Sequence, residues 1–215
     1  MIYLLVDTST SNVTISILND NHIIEEYVNK IDSDMSSKIL PIIDNLLKNN
    51  GLDLEQINKI FVVNGPGSFT GIRIGVTICK TIAWALKKDV ITLSSLELMA
   101  TTKTEKKYLV PMIDARRGNV FAGIYDNELN CIKKDQLINI NQLIDGFDYN
   151  YELISYDNLK LENLILPSLD VLKIIEKHKN DKSINPHNLN PNYLKLTEAQ
   201  ENLNKRESIY NDKRI

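Results

Sequence analysis

Cysteine is scarce in this chain of 215 residues: Cys79 and Cys131 are the only two, far apart and in no C-x-x-C pair. That excludes a disulfide framework and suits a reducing compartment. Histidine is nearly as scarce, and His22, His178 and His187 are scattered, with no pair at helical spacing, so a zinc site is not expected. No G-x-S-x-G occurs and neither cysteine has a histidine near it in sequence, which leaves no readable hydrolase nucleophile. Basic residues are not in surplus: the net charge is −3 and the pI about 5.7. A protein of this charge that works on nucleic acid needs something else to supply most of the phosphate contacts. No run is long enough to span a membrane, and no basic region with an apolar core opens the chain, so a soluble, cytoplasmic protein without a membrane partner is expected. What remains is an ordinary globular composition, 43% hydrophobic and 25% charged, enough for one large domain or two small ones.

The most informative stretch runs from Lys59 to Leu86. Lys59-Ile60-Phe61-Val62-Val63 is a dense apolar run suited to a strand buried on both faces. Asn64-Gly65-Pro66-Gly67-Ser68-Phe69-Thr70-Gly71 reads as a turn, and from Gly71 to Leu86 apolar residues recur at helical spacing. The turn fails both phosphate-binding patterns. Thr70 stands where a P-loop needs its second glycine and no lysine follows, while the third glycine of a dinucleotide fingerprint arrives one residue late, as Gly71. A tight turn whose glycines let the helix pack closely is therefore preferred over a phosphate cradle. The helix carries an apolar arc of roughly 200°, about twice what one core requires. Ile72, Val76, Cys79 and Ala83 can face a sheet. Ile74, Ile78 and Ile82, with Gly71 and Gly75 permitting close backbone approach, then need a second partner, either a neighbouring helix of the same chain or another protein. Periodicity does not choose between these.

Upstream, Ile2–Val6 is an apolar strand ending at Asp7, and two further strands follow. Ser36 or Ser37 caps a helix to Asn49 whose apolar arc (Ile39, Ile43 and Leu46 among others) is also broad, with Pro41 placed near its first turn. Ser94-Ser95-Leu96-Glu97 has the pattern of a capping box. The polar connector Thr101–Lys107 marks a boundary, giving an N-terminal domain over 1–100 and a C-terminal domain over 101–215, with the tail 197–215 helical or partly disordered. Past the connector the opening pattern recurs: Asp7, Asn12 and Ile17 align with Asp114, Asn119 and Ile124, which points to a duplicated domain. Asp7 and Asp114 at strand ends could flank a metal–nucleotide cleft, but the turns behind them hold almost no glycine, and turn formation is the simpler role. Arg116-Arg117 reads as a solvated turn, with anion binding as the lesser alternative. Trp84 lies on the polar arc of its helix beside Arg73 and Lys80, either an interface anchor or a lone surface aromatic.

Taken together, Asp7-Thr8-Ser9-Thr10, Leu40-Pro41-Ile42-Ile43-Asp44, Gly65-Pro66-Gly67-Ser68-Phe69-Thr70-Gly71-Ile72-Arg73-Ile74-Gly75, Ile113-Asp114-Ala115-Arg116-Arg117-Gly118 and Pro191-Asn192-Tyr193-Leu194-Lys195 resemble the bacterial TsaB family, in the right order and as far as Leu196. The resemblance implies an α/β, actin-like, duplicated two-domain fold of mixed sheets flanked by helices. It implies a role in making threonylcarbamoyladenosine next to the anticodon of certain tRNAs, as a non-catalytic subunit with no cofactor and no metal of its own. The implied partners are the catalytic paralogue TsaD and the ATPase TsaE, with tRNA met only through the complex and a homodimer when the chain is alone. The expected partner interface is Ile39, Ile43, Leu46, Gly71, Ile74, Gly75, Ile78, Ile82 and Trp84. Two other classes stay open at this point, an actin-like small-molecule kinase and a peptidase-like homologue.

Overall fold

The computed structural model describes residues 1–31, 33–145 and 150–194, so the expectations for the tail from 197 onward and for Lys195 lie outside the described residues. Two five-stranded sheets share one topology. In the first, β1 (Ile2–Asp7), β2 (Asn12–Asn19) and β3 (Ile23–Lys30) form an antiparallel meander, and β4 (Lys59–Val63) and β5 (Asp89–Leu93) add in parallel on the far side of β1, giving the order β3-β2-β1-β4-β5. In the second, β6 (Tyr108–Asp114), β7 (Asn119–Asp126) and β8 (Cys131–Asn139) repeat the meander, and β9 (Tyr151–Ile154) and β10 (Leu164–Ile165) add in parallel, giving β10-β9-β6-β7-β8. The two halves are a structural duplication. The aligned aspartates, Asp7 and Asp114, end the first strand of each.

α1 (Met35–Asn49) joins β3 to β4, and α2 (Phe69–Leu86) joins β4 to β5. Strand alternation divides the first sheet between two cores. Leu4, Val6, Ile60 and Val62 meet Ile39, Ile43, Leu46 and Leu47 of α1 and Ile72, Val76, Cys79 and Ala83 of α2. From the other face, Tyr3, Leu5, Phe61 and Val63 join α3 (Ser95–Met99), α5 (Val171–His178) and Leu109, Ile113 and Phe121 of the second half. Burial on both faces is why β1 and β4 lack polar alternation. The connector between the halves is not wholly solvated: Thr101 and Thr102 are buried, and their hydroxyls accept the amides of Asp170 and Ser168 at 2.8 and 3.0 Å.

Three local expectations change. α1 starts two residues before Ser37, after a left-handed Asp34, and Ser37 instead donates its amide and hydroxyl to the Asp34 carbonyl. Pro41 therefore lies inside the helix rather than in its first turn. Ser94 does cap α3, accepting from Leu96 and Glu97 amides, but the Glu97 carboxylate turns away to Lys177 and His178 at 2.6 and 3.0 Å. Finally, α2 is by length and composition long and apolar enough to cross a membrane. Seven of its residues are packed inside this fold and Arg73 and Lys80 lie on its outer side, so it is the core helix of its half.

Candidate functional site

A cleft of about 850 Å³ opens between the halves, lined by the β1–β2 turn (Ser9–Ser11), the turn before α2 (Pro66–Thr70), and Asp114, Arg116 and Asp157 of the second half. Gly67 of this cleft, and Gly71 and Gly75 of the helix that follows it, face neighbouring chain. A Cβ on Gly67 would stand 2.3 Å from the Ser9 carbonyl oxygen, one on Gly71 2.1 Å from that of Thr8, and one on Gly75 2.4 Å from Thr8 Oγ1. Three amides of these turns are already used. Ser68 N–H donates to Ser9 O at 2.7 Å, Gly71 N–H to Ser68 Oγ at 3.2 Å, and Ser9 N–H to Asp7 Oδ1 at 2.8 Å, while Thr8 Oγ1 donates to Gly71 O at 2.7 Å. The second half builds the same aspartate turn, with Arg116 N–H donating to Asp114 Oδ1 at 2.7 Å.

Asp7 itself does not line the cleft. It is buried behind its own turn, and burial pushes its carboxyl up from 3.8 to about 6, with Ser9 pulling it partly back. Below pH 3.8 both the folded and unfolded forms hold this proton. Between about pH 4 and 6 the unfolded chain ionises while the fold retains it, so stability falls as pH rises, and above 6 the whole penalty is present. Two units correspond to about 3 kcal/mol. Asp7→Asn, which keeps the oxygen that accepts from Ser9, should flatten urea-denaturation stability between pH 4 and 7 and raise it at pH 8 by about 1–3 kcal/mol. An unchanged pH slope would contradict this.

The expected interface residues separate into three groups. Ile39 and Ile43 are fully buried and Leu46 and Ile82 nearly so, all within this chain's own core, and they cannot interleave with another protein. Gly71 and Gly75 are likewise spent, because Thr8 fills the space beside them. Ile74 and Ile78 are half-buried, and Trp84 is 61% exposed, edge-on to His187 at 6.4 Å. What α2 presents outward is the row Thr70, Arg73, Thr77, Thr81 and Trp84, all exposed and spaced three or four residues apart on one face. Thr81 Oγ1 donates back to Thr77 O at 2.9 Å, so its hydroxyl is satisfied within the helix. Close approach to α2 is thus permitted by short threonines rather than by glycines.

Sequence reasoning also missed how the segment 184–194 is used. It returns from the second half across the first. Ile184 N–H donates to Val90 O at 2.9 Å, Lys80 Nζ to the His187 and Leu189 carbonyls, and Asn192 N–H to Asn64 O at 2.7 Å. Tyr193 then stacks on Phe69 with ring centroids 4.6 Å apart. The motif Pro191–Leu194 gave a sign that the segment matters, but not where it docks.

Residues 23–182 match a family described as TsaD: tRNA N6-adenosine threonylcarbamoyltransferase. The chain is 30% identical to the tRNA threonylcarbamoyladenosine biosynthesis protein TsaB of Bacillus subtilis, over 93% of this chain and 96% of that one. It is 31% identical to the protein of that name in Escherichia coli, over 60% and 57%. Among solved structures, YeaZ from Pseudomonas aeruginosa superposes with a TM-score of 0.77 at 21% identity, over 90% of this chain and 99% of that one, a likeness of fold.

Proposed function

Because the chain belongs to the TsaB family of tRNA threonylcarbamoyladenosine biosynthesis proteins, we propose that it serves that synthesis as a non-catalytic subunit that docks on its catalytic paralogue TsaD. The observation that carries this reading is the closure of the cleft turns on each other. A nucleotide-binding cleft of this architecture offers free amides to phosphates, whereas here Ser9, Ser68 and Gly71 direct theirs into the fold. The catalytic work then falls to the paralogue, the ATPase TsaE completes the system, and tRNA is held mainly by the partners, in keeping with a net charge of −3. The docking face is the outer row of α2 with Ile74 and Ile78 beside it. In the absence of the paralogue the same face pairs two copies about a two-fold axis. The work takes place in the cytoplasm, where tRNA is modified.

The kinase and peptidase readings are not favoured by the family, and one measurement separates them from this one. Titration calorimetry of the isolated chain with Mg-ATP should show no binding tighter than about 1 mM, an affinity of about −4 kcal/mol, and no phosphate release. The same preparation should form a one-to-one complex with TsaD on gel filtration. Micromolar ATP binding with turnover, or no complex, would overturn the reading.

A further inference from the structure

Arg73 stands next to the first residue of the outer row of α2 in an arrangement that the docking reading does not by itself require. Its Nε–H donates to Tyr193 Oη at 2.8 Å, and its Cζ lies 4.0 Å from the centroid of the Phe69 ring and 5.9 Å from that of Tyr193. Phe69 and Tyr193, stacked on each other, are themselves more than a third exposed. The guanidinium is therefore fixed in plane and position by Phe69, four residues before it, and by Tyr193, 120 positions after it. Among the described residues no carboxylate pairs with it, and the donors of its two Nη groups have no recorded acceptor. An arginine normally loses side-chain entropy when it forms a bidentate contact. Here that loss is already incurred in folding.

We propose that Arg73 is a preset fork for a carboxylate on a helix of the protein partner, laid along the α2 row with Trp84 engaging its other end. This rests on the docking reading above and adds the chemistry that the partner must present. Eleven residues of helix place Arg73 and Trp84 about 16 Å apart, three turns, with only threonine methyls between them. Arginine and tryptophan are among the side chains that most often dominate an interface, and here they flank the two central threonines of the row. A phosphate of RNA satisfies a guanidinium equally well in isolation. The surroundings favour a protein carboxylate: on the opposite wall of the adjoining cleft Asp114 and Asp157 outnumber Arg116, and the rest of the row is neutral. A backbone bearing one charge per nucleotide meets a net negative wall there, while a single acidic side chain on an otherwise apolar helix reaches Arg73 without entering the cleft.

The test is titration calorimetry of purified TsaD into the wild-type chain and into Arg73→Gln, Arg73→Lys, Tyr193→Phe and Thr77→Arg, with filter binding of tRNA to the isolated chain in parallel. Arg73→Gln should weaken the complex at least tenfold and reduce its salt dependence, at an unchanged melting temperature. Arg73→Lys should recover little, because an ammonium cannot hold Tyr193 and fork a carboxylate together, and Tyr193→Phe should cost a few-fold by freeing the guanidinium. If Arg73→Gln binds within twofold of wild type while Thr77→Arg does not bind, docking stands and the fork falls. If Thr77→Arg also binds normally, the docking reading fails first. If Arg73→Gln lowers tRNA retention and leaves TsaD affinity intact, the fork serves phosphates and the proposal is overturned.

Discussion

Gly71→Ala is expected to destabilise this protein by about 3–5 kcal/mol, a large part of the stability of an ordinary domain. The added methyl would stand 2.1 Å from the Thr8 carbonyl oxygen. That oxygen is backbone in the β1–β2 turn, held by strands whose register is continuous from Ile2–Asn19 to Asp7–Thr14, so it cannot swing aside as a side-chain tip would. Relief requires α2 to lift off the sheet, which opens the contacts of Ile72 and Val76 with Val6 and Val62. The hydrogen bond from Thr8 Oγ1 to Gly71 O is lost in the same movement. Urea denaturation measures the cost, and hydrogen exchange should show the loss of protection concentrated at Ser9, Ser68 and Gly71. Gly51→Ala is the control: nothing lies within 4 Å of a Cβ there, and only its left-handed φ of +63° resists, at about 1 kcal/mol. If the two variants are equally stable, the close approach of α2 to the Thr8 turn is not what that glycine provides.

The second large effect concerns association and should leave folding alone. Thr77→Arg puts a long charged side chain in the middle of the outer row of α2, where the native residue is exposed. Burying that charge unpaired against a partner helix costs several kcal/mol, and every 1.4 kcal/mol is tenfold in affinity, so the complex with TsaD should weaken by at least about a hundredfold. Homodimer formation should fail with it, leaving a monomer on gel filtration with an unchanged circular-dichroism melt. Ile78→Glu would be a poorer probe of the same face, because Ile78 is half-buried against the core and its replacement disturbs packing and docking together. A Thr77→Arg protein that still co-elutes with TsaD would move the interface to another surface.

The strands and the duplication were legible because they depend on short-range pattern. Leu4-Leu5-Val6-Asp7 and Pro111-Met112-Ile113-Asp114 end their strands alike, and each aspartate closes a turn with the amide two residues on. The helix faces were harder. A wheel counts apolar residues around α2 but cannot show what fills the space beside them. Gly71 and Gly75 meet Thr8, and the hydrogen bond that ties the two segments spans 63 residues. α1 suffered the same error, since Ile39 and Ile43 looked surplus only while the depth of the first sheet was unknown. Threonine hid the outer row: it is neither apolar enough to mark a stripe nor charged enough to mark a solvated face. Arg73 and Tyr193 lie too far apart in sequence for any local pattern to join them.

The returning segment has a consequence for the order in which the molecule is made. The first sheet is complete in strands once Leu93 has been synthesised, but β5 is its edge, and the Val90 carbonyl finds its acceptor role only when Ile184 arrives. Ribosomes add roughly 5–20 residues each second, so about ninety intervening residues leave that edge open for roughly 5–20 s. An open edge is a template for pairing with a neighbouring nascent chain. The brevity of β5, five residues opening on a charged Asp89, is then a safeguard during translation as much as a feature of the finished fold.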